Sequence, residues 1–149
     1  MTPAERSTAG PCPIASGRLS GKTIVQLAVF EFGVRKVFQA LTDSEQHSAF
    51  TGDRAEINAK PGGCFSAYGG YITGTFRKIV PGKLIVQDWR AADWPEGVSS
   101  LVTIELQEKR GATTLMLTQE GVPEEFAEAI AQGWHDFYWD RLRDYLEKP

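Results

Sequence analysis

Long apolar runs and basic clusters are missing from this chain, and cysteine and histidine are scarce. No stretch approaches the roughly 20 apolar residues that a membrane-spanning helix needs, so membrane insertion is not expected. No basic cluster is longer than Lys109-Arg110. With a formal net charge of −3 and a pI of about 5.4, the chain offers no basic face to nucleic acid or to an anionic membrane. Of the two cysteines, Cys12 falls in an expected tail and Cys64 in an expected strand, so a structural disulfide is not expected. A reducing cytoplasm is then the simplest setting. Met1-Thr2-Pro3-Ala4-Glu5-Arg6 lacks the apolar core of a signal peptide. The two histidines, His47 and His135, share no motif. No His/Cys/Asp/Glu group has metal-ligand spacing, so neither a metal nor a cofactor is expected. There is no G-x-S-x-G motif and no phosphate-binding loop, and Gly62-Gly63 and Gly69-Gly70 read as hairpin turns.

What is present fits one domain of ordinary core size within 149 residues, 42% of them hydrophobic and 23% charged. Residues 1–21 are rich in Pro, Gly, Ser, Thr and Ala without a period, and read as a flexible N-terminal tail before a domain over 22–149. Residues 23–30 read as a first strand, and 34–41 turn helical with Val34, Val37, Phe38 and Leu41 on one face. Thr42 and Glu45 form a capping-box pattern that opens a second short helix ending near Phe50. Strand patterns follow at 55–57, 64–68, 71–79, 83–90, 98–108 and 113–120, with Gly74 a candidate bulge. Hairpin-linked strands with segregated helices predict an α+β fold on an antiparallel sheet of about six to seven strands.

The rest of the chain is organised around residues 122–148, which the spacing predicts to be one long helix. Pro123 suits its first position, and Glu124 and Glu125 suit the positive end of its dipole. At about 100° per residue, Phe126, Ala127, Ile130, Trp134, Phe137, Tyr138 and Tyr145 form one broad face. Such a stripe must be buried against the sheet. Trp139 falls roughly opposite Ile130, which puts it under the short helices or on an interface.

Several pieces together resemble the activators of heat-shock protein 90 ATPase and their homologues. They are the first strand with Val37-Phe38-Gln39-Ala40-Leu41-Thr42, then Pro61-Gly62-Gly63, then Val80-Pro81-Gly82-Lys83-Leu84-Ile85-Val86 and Asp88-Trp89-Arg90. Trp94-Pro95-Glu96-Gly97 with Val102-Thr103-Ile104, and Gln132-Gly133-Trp134 with Phe137-Tyr138-Trp139, complete the set over residues 22–146. The family is similar to START lipid-binding and birch-pollen-allergen domains. The resemblance implies a helix-grip fold: a curved antiparallel sheet around a long C-terminal helix, two short helices after strand one, and a cavity between sheet and helix. It also implies a heat-shock protein 90-type chaperone as partner. In the eukaryotic co-chaperone this domain is the C-terminal half, and 149 residues leave no room for the N-terminal half.

Aromatic residues carry the site reading. Phe65, Phe76, Trp89, Trp134, Phe137 and Tyr138 can line one concave space for a small hydrophobic ligand, or pack on one another as a filled core. Arg141 lies about 20° from Ile130 on the wheel. It either reads an acidic group of the ligand or lays its methylenes on the sheet edge. Trp94, in a Pro-Gly loop, either closes the cavity mouth or forms an interface, as Trp139 can. The expected function is a non-enzymatic binding domain, docking to a chaperone or holding an apolar ligand. The alternative is a cyclase- or hydrolase-like enzyme of the same superfamily, with Asp88, Asp93 or Arg141 as its polar groups.

Overall fold

The structure, a computed structural model, describes residues 21–148. Its strands and α-helices run β1 (Lys22–Phe30), α1 (Val34–Thr42), α2 (Ser44–Thr51), β2 (Glu56–Ile57), β3 (Cys64–Ala67), β4 (Ile72–Val80), β5 (Leu84–Ala91), β6 (Ser100–Lys109), β7 (Ala112–Val122), α3 (Glu124–Trp134) and α4 (Asp140–Glu147). The strands form one seven-stranded antiparallel sheet in the order β1-β7-β6-β5-β4-β3-β2. Every strand pairs with its chain neighbour except β1, which crosses to β7. This is the α+β, helix-grip arrangement expected, with two short helices after the first strand and the terminal helix against the sheet. Apart from Gly21, the expected tail lies outside the described residues. Among the described residues, no helix is long and apolar enough to cross a membrane.

Alternation along β1 and β5 builds the core. Ile24, Ala28 and Phe30 of β1 and Ile85, Trp89 and Ala91 of β5 are buried, whereas Val25, Leu27 and Val29 point the other way. Local details differ from expectation for identifiable reasons. The cap of α2 is Asp43, whose Oδ2 accepts the Gln46 amide at 3.0 Å; Thr42 closes α1, its hydroxyl donating to Phe38 O at 2.8 Å. The capping pattern is thus displaced by one residue, aspartate being as good a cap as threonine. The bulge in β4 falls between Phe76 and Lys78 and not at Gly74. Gly74 is instead a point of close approach, where a Cβ would sit 1.9 Å from Asp88 O and 2.5 Å from the Phe65 ring. A second bulge lies at Gly121, skipped in the register between Glu120 and Val122, with a φ of 87° that a side chain would resist. It carries β7 two residues beyond the expected strand end, so Pro123 precedes the helix as its N-cap. Cys64 is disulfide-bonded. The expectation of unbridged cysteines is thereby corrected, and the argument from it to a reducing compartment falls.

The terminal helix is not a uniform α-helix. Between α3 and α4, residues His135–Trp139 form a π-helical turn in which Asp140 N–H reaches back to His135 O. Side chains satisfy the disturbed carbonyls. Ala131 O accepts Gln26 Nε2 at 2.8 Å, Asp136 O accepts Arg141 Nε at 3.3 Å, and Phe137 O accepts the Tyr68 hydroxyl at 2.6 Å. The wider turn rotates everything after Trp134. Trp134 and Trp139 stack with ring centroids 5.2 Å apart and planes 15° apart. In a regular α-helix, residues five apart diverge by about 140°.

Candidate apolar ligand cavity

A cavity of about 500 Å³ lies between the sheet and α3. Its floor is Ile72 and Trp89, its roof is Phe126, Ala129, Ile130 and Gly133, and its inner end is Trp134 and Tyr138. Tyr68, Tyr71, Asp93 and Phe137 stand around it. The roof explains an oddity of the helix. Trp134 is the only buried residue of α3, and Phe126 and Ile130 remain half-buried. Their apolar face has open space beneath it instead of sheet. Gly133 widens that space, since a Cβ there would meet only Phe137 Cδ2, at 3.6 Å.

Polar groups fixed elsewhere hold the walls. Trp134 Nε1 donates to Gln119 Oε1 at 2.8 Å, Gln119 Nε2 donates to Ser100 Oγ at 3.0 Å, and Ser100 Oγ donates to Trp89 O at 2.9 Å. Gln119 and Ser100 are 0% and 1% exposed, so this chain of bonds ties helix to sheet in a water-free place. Tyr68 enters from a 3-10 turn, Tyr68–Gly70, with a φ of 52° that is strained for a non-glycine residue. The strain is offset where its ring meets Phe137 at 5.8 Å and its hydroxyl meets the π-turn. Burial pushes the Tyr68 phenol up to about 12, although nearby Arg141 pulls the other way. Burial also raises the Tyr138 phenol. Tyr71 is raised by burial first and by its bond to Asp93 second. All three phenols therefore stay neutral at physiological pH.

Of the residues expected to line one space, Trp89, Trp134, Phe137 and Tyr138 come together in this cavity. Phe65 and Phe76 do not. They pack on each other at 5.1 Å beside a smaller void of about 30 Å³, with His47, Gln87, Trp134 and Tyr138 around it. Arg141 does not enter the cavity either. Its guanidinium lies over the Phe137 ring at 5.3 Å and donates to Thr51 O at 2.6 Å, neutralising the carbonyl end of α2. Trp94 and Trp139 are not exposed interface residues, being 3% and 1% exposed. Trp94 plugs the sheet end between Trp89 and Phe126, and Trp139 donates to Gln26 Oε1 at 2.9 Å under β1. The Asp88–Asp93 pair is split. Asp88, between Gln87 and Trp89 on β5, takes the opposite face and holds Arg77 Nε at 2.9 Å. Asp93 stands at the cavity mouth, accepting the Tyr71 hydroxyl at 2.9 Å. Tyr68, Tyr71 and Phe126 were not anticipated at the site, although tyrosines flanking Gly69-Gly70 at a sheet end were a readable signal. Among the described residues, no group of three His, Cys, Asp or Glu side chains could hold a metal ion.

His47 beside the smaller void is a buried neutral histidine. Its ring meets those of Phe50 at 4.8 Å and Tyr138 at 5.3 Å, and among the described residues its Nδ1 finds no partner. Burial lowers its pKa from 6.5 to about 4. Below pH 6.5 the unfolded chain gains a proton that the folded chain does not accept until about pH 4. Stability from this group is full above 6.5 and falls through that window by about 1.4 kcal/mol per pH unit. His47→Phe is expected to flatten the urea-melt midpoint between pH 6.5 and 4; an unchanged slope contradicts this.

The family profile described as Activator of Hsp90 ATPase homolog 1-like protein matches residues 32–147. The chain belongs to this family. It is 33% identical over 108 residues to the activator of 90 kDa heat shock protein ATPase homolog 1 of Homo sapiens, a match that covers 72% of this chain and 32% of that protein. The Dictyostelium discoideum homolog is 31% identical over 123 residues, covering 82% of this chain and 32% of that one. The chain thus spans about a third of the length of the curated relatives it matches. A crystal structure of an HSP90 activator from Plasmodium falciparum superposes with a TM-score of 0.80 at 28% identity, covering 87% of this chain and 99% of that chain.

Proposed function

We propose that this domain of the Hsp90 ATPase activator homologue family binds one small apolar molecule in the cavity under α3. The observation that carries the reading is the half-covered apolar face of α3 above about 500 Å³ of space. That volume lies within the roughly 300–1,000 Å³ typical of small-molecule pockets. A helix that served only as core would leave no such gap. The separation of Asp88 from Asp93 and the turning away of Arg141 support binding without catalysis over the enzyme alternative built on those residues. Native mass spectrometry of the protein from its own cells is expected to show a retained species of a few hundred daltons. Bare polypeptide mass under gentle conditions, with no uptake of added apolar probes, contradicts the proposal.

A second reading, association with an Hsp90-type chaperone, is favoured by the names of the relatives. It is also supported by a row of exposed apolar residues on the edge strand β1: Val25 at 62%, Leu27 at 61% and Val29 at 50%, with Met116 of β7 beside them. Such a row on a sheet edge suits a protein partner. It lies on the face away from the cavity, so the two readings do not compete for residues.

A further inference from the structure

We infer that the molecule held in this cavity carries a protonated amine or another hydrogen-bond donor on its apolar body, and not a carboxylate. The inference rests on the ligand-binding reading above and adds the chemical class. Among the described residues lining the cavity, Asp93 is the one acidic side chain and no basic one joins it, while burial raises the phenols of Tyr68, Tyr71 and Tyr138. Its Oδ1 accepts the Tyr71 hydroxyl at 2.9 Å, and among the described residues no donor reaches Oδ2. That oxygen is the open acceptor at the mouth.

Asp93 is held there by a neighbour. Arg90 Nη1 donates to Pro95 O at 2.6 Å and Val98 O at 2.7 Å, and Nη2 donates to Trp94 O at 2.9 Å. One guanidinium thus folds the loop after β5 back on the strand. With Trp94 wedged against Trp89 and Phe126, the loop has little freedom to carry Asp93 away. Arg141, whose charge is felt at Tyr68, is committed to Thr51 O and the Phe137 ring. The remaining walls suit the same ligand. Trp89, Trp134, Tyr68 and Tyr138 offer π faces, which attract cations and repel nothing neutral. An anionic head would meet a carboxylate at the mouth, and among the described residues lining the cavity no cation stands beside it.

Calorimetric titration of 1-naphthylmethylamine, 1-naphthalenemethanol and 1-naphthylacetic acid separates the outcomes, because the three share one apolar body. At low salt the amine is expected to bind about tenfold more tightly than the acid, with the alcohol between them. The ratio should shrink as salt rises, because Asp93 is exposed at the mouth. Asp93→Asn keeps an acceptor for Tyr71 and should level the amine and the acid while the alcohol changes little. An acid that binds as well as the amine, or an amine-to-acid ratio unchanged in Asp93→Asn, overturns the inference and leaves the ligand-binding reading standing. Binding by none of the three overturns that reading and the inference with it.

Discussion

Trp134→Ala is expected to lower the unfolding free energy by about 3–5 kcal/mol, the range for truncating a buried tryptophan. The indole is 3% exposed, stacks on Trp139 at 5.2 Å, and touches Tyr138 at 4.8 Å and Trp89 at 5.6 Å. Removing it merges the large cavity with the smaller void, since Trp134 lines both. It also strands Gln119 Oε1, whose donor it supplies. Trp134→Phe separates these effects. It keeps most of the volume and loses the bond, so about 1–3 kcal/mol should remain as the desolvated amide left unpaired. Urea melts at one pH give both numbers. A loss under about 1 kcal/mol for the alanine variant would mean that the helix does not depend on this contact.

The second large effect is expected at Gln26. Its amide makes two bonds to the terminal helix, Nε2 to Ala131 O at 2.8 Å and Oε1 from Trp139 Nε1 at 2.9 Å. Gln26→Leu keeps the bulk and removes both partners. At about 1–3 kcal/mol for each buried group left unsatisfied, the loss should be about 2–4 kcal/mol after partial relaxation. The π-turn gives the site its significance, because Ala131 O lies in the last turn before it and is bonded from β1. A variant that unfolds with wild-type midpoint would show that the helix meets those needs internally.

Much of this architecture could be read from residue order. Hairpin turns, period-two alternation and the wheel of 122–148 gave the sheet and its gripped helix, and the family resemblance agreed with them. The site was legible in part. Trp89, Trp134, Phe137 and Tyr138 were readable because apolar aromatics on facing elements must meet. Trp139 was misplaced because a wheel at 100° per residue assumes an α-helix throughout. The π-turn adds residues to one turn and swings Trp139 inward. Arg141 was misplaced for the same reason, and because its acceptor, Thr51 O, is a backbone group on a distant helix that no local pattern shows. Trp94 lay in a loop where burial depends on Arg90 gathering backbone carbonyls, an arrangement without a sequence period. Phe65 and Phe76 were correct as inward-facing residues, but Gly74 lets the Phe65 ring sink against the backbone, away from the cavity.

The account turns on the space beneath α3 being a binding site. Gly133→Leu tests it most directly, because the position is helical, lacks a strained φ and faces the cavity. The added side chain should project into the space and narrow it, and also favour the helix by about 1 kcal/mol. Titration with the neutral apolar fluorophore N-phenyl-1-naphthylamine should give one saturable site in the wild-type protein and at least tenfold weaker binding in Gly133→Leu, which should melt at or above the wild-type temperature. Equal binding by the two proteins, or no binding by the wild type, would contradict the account.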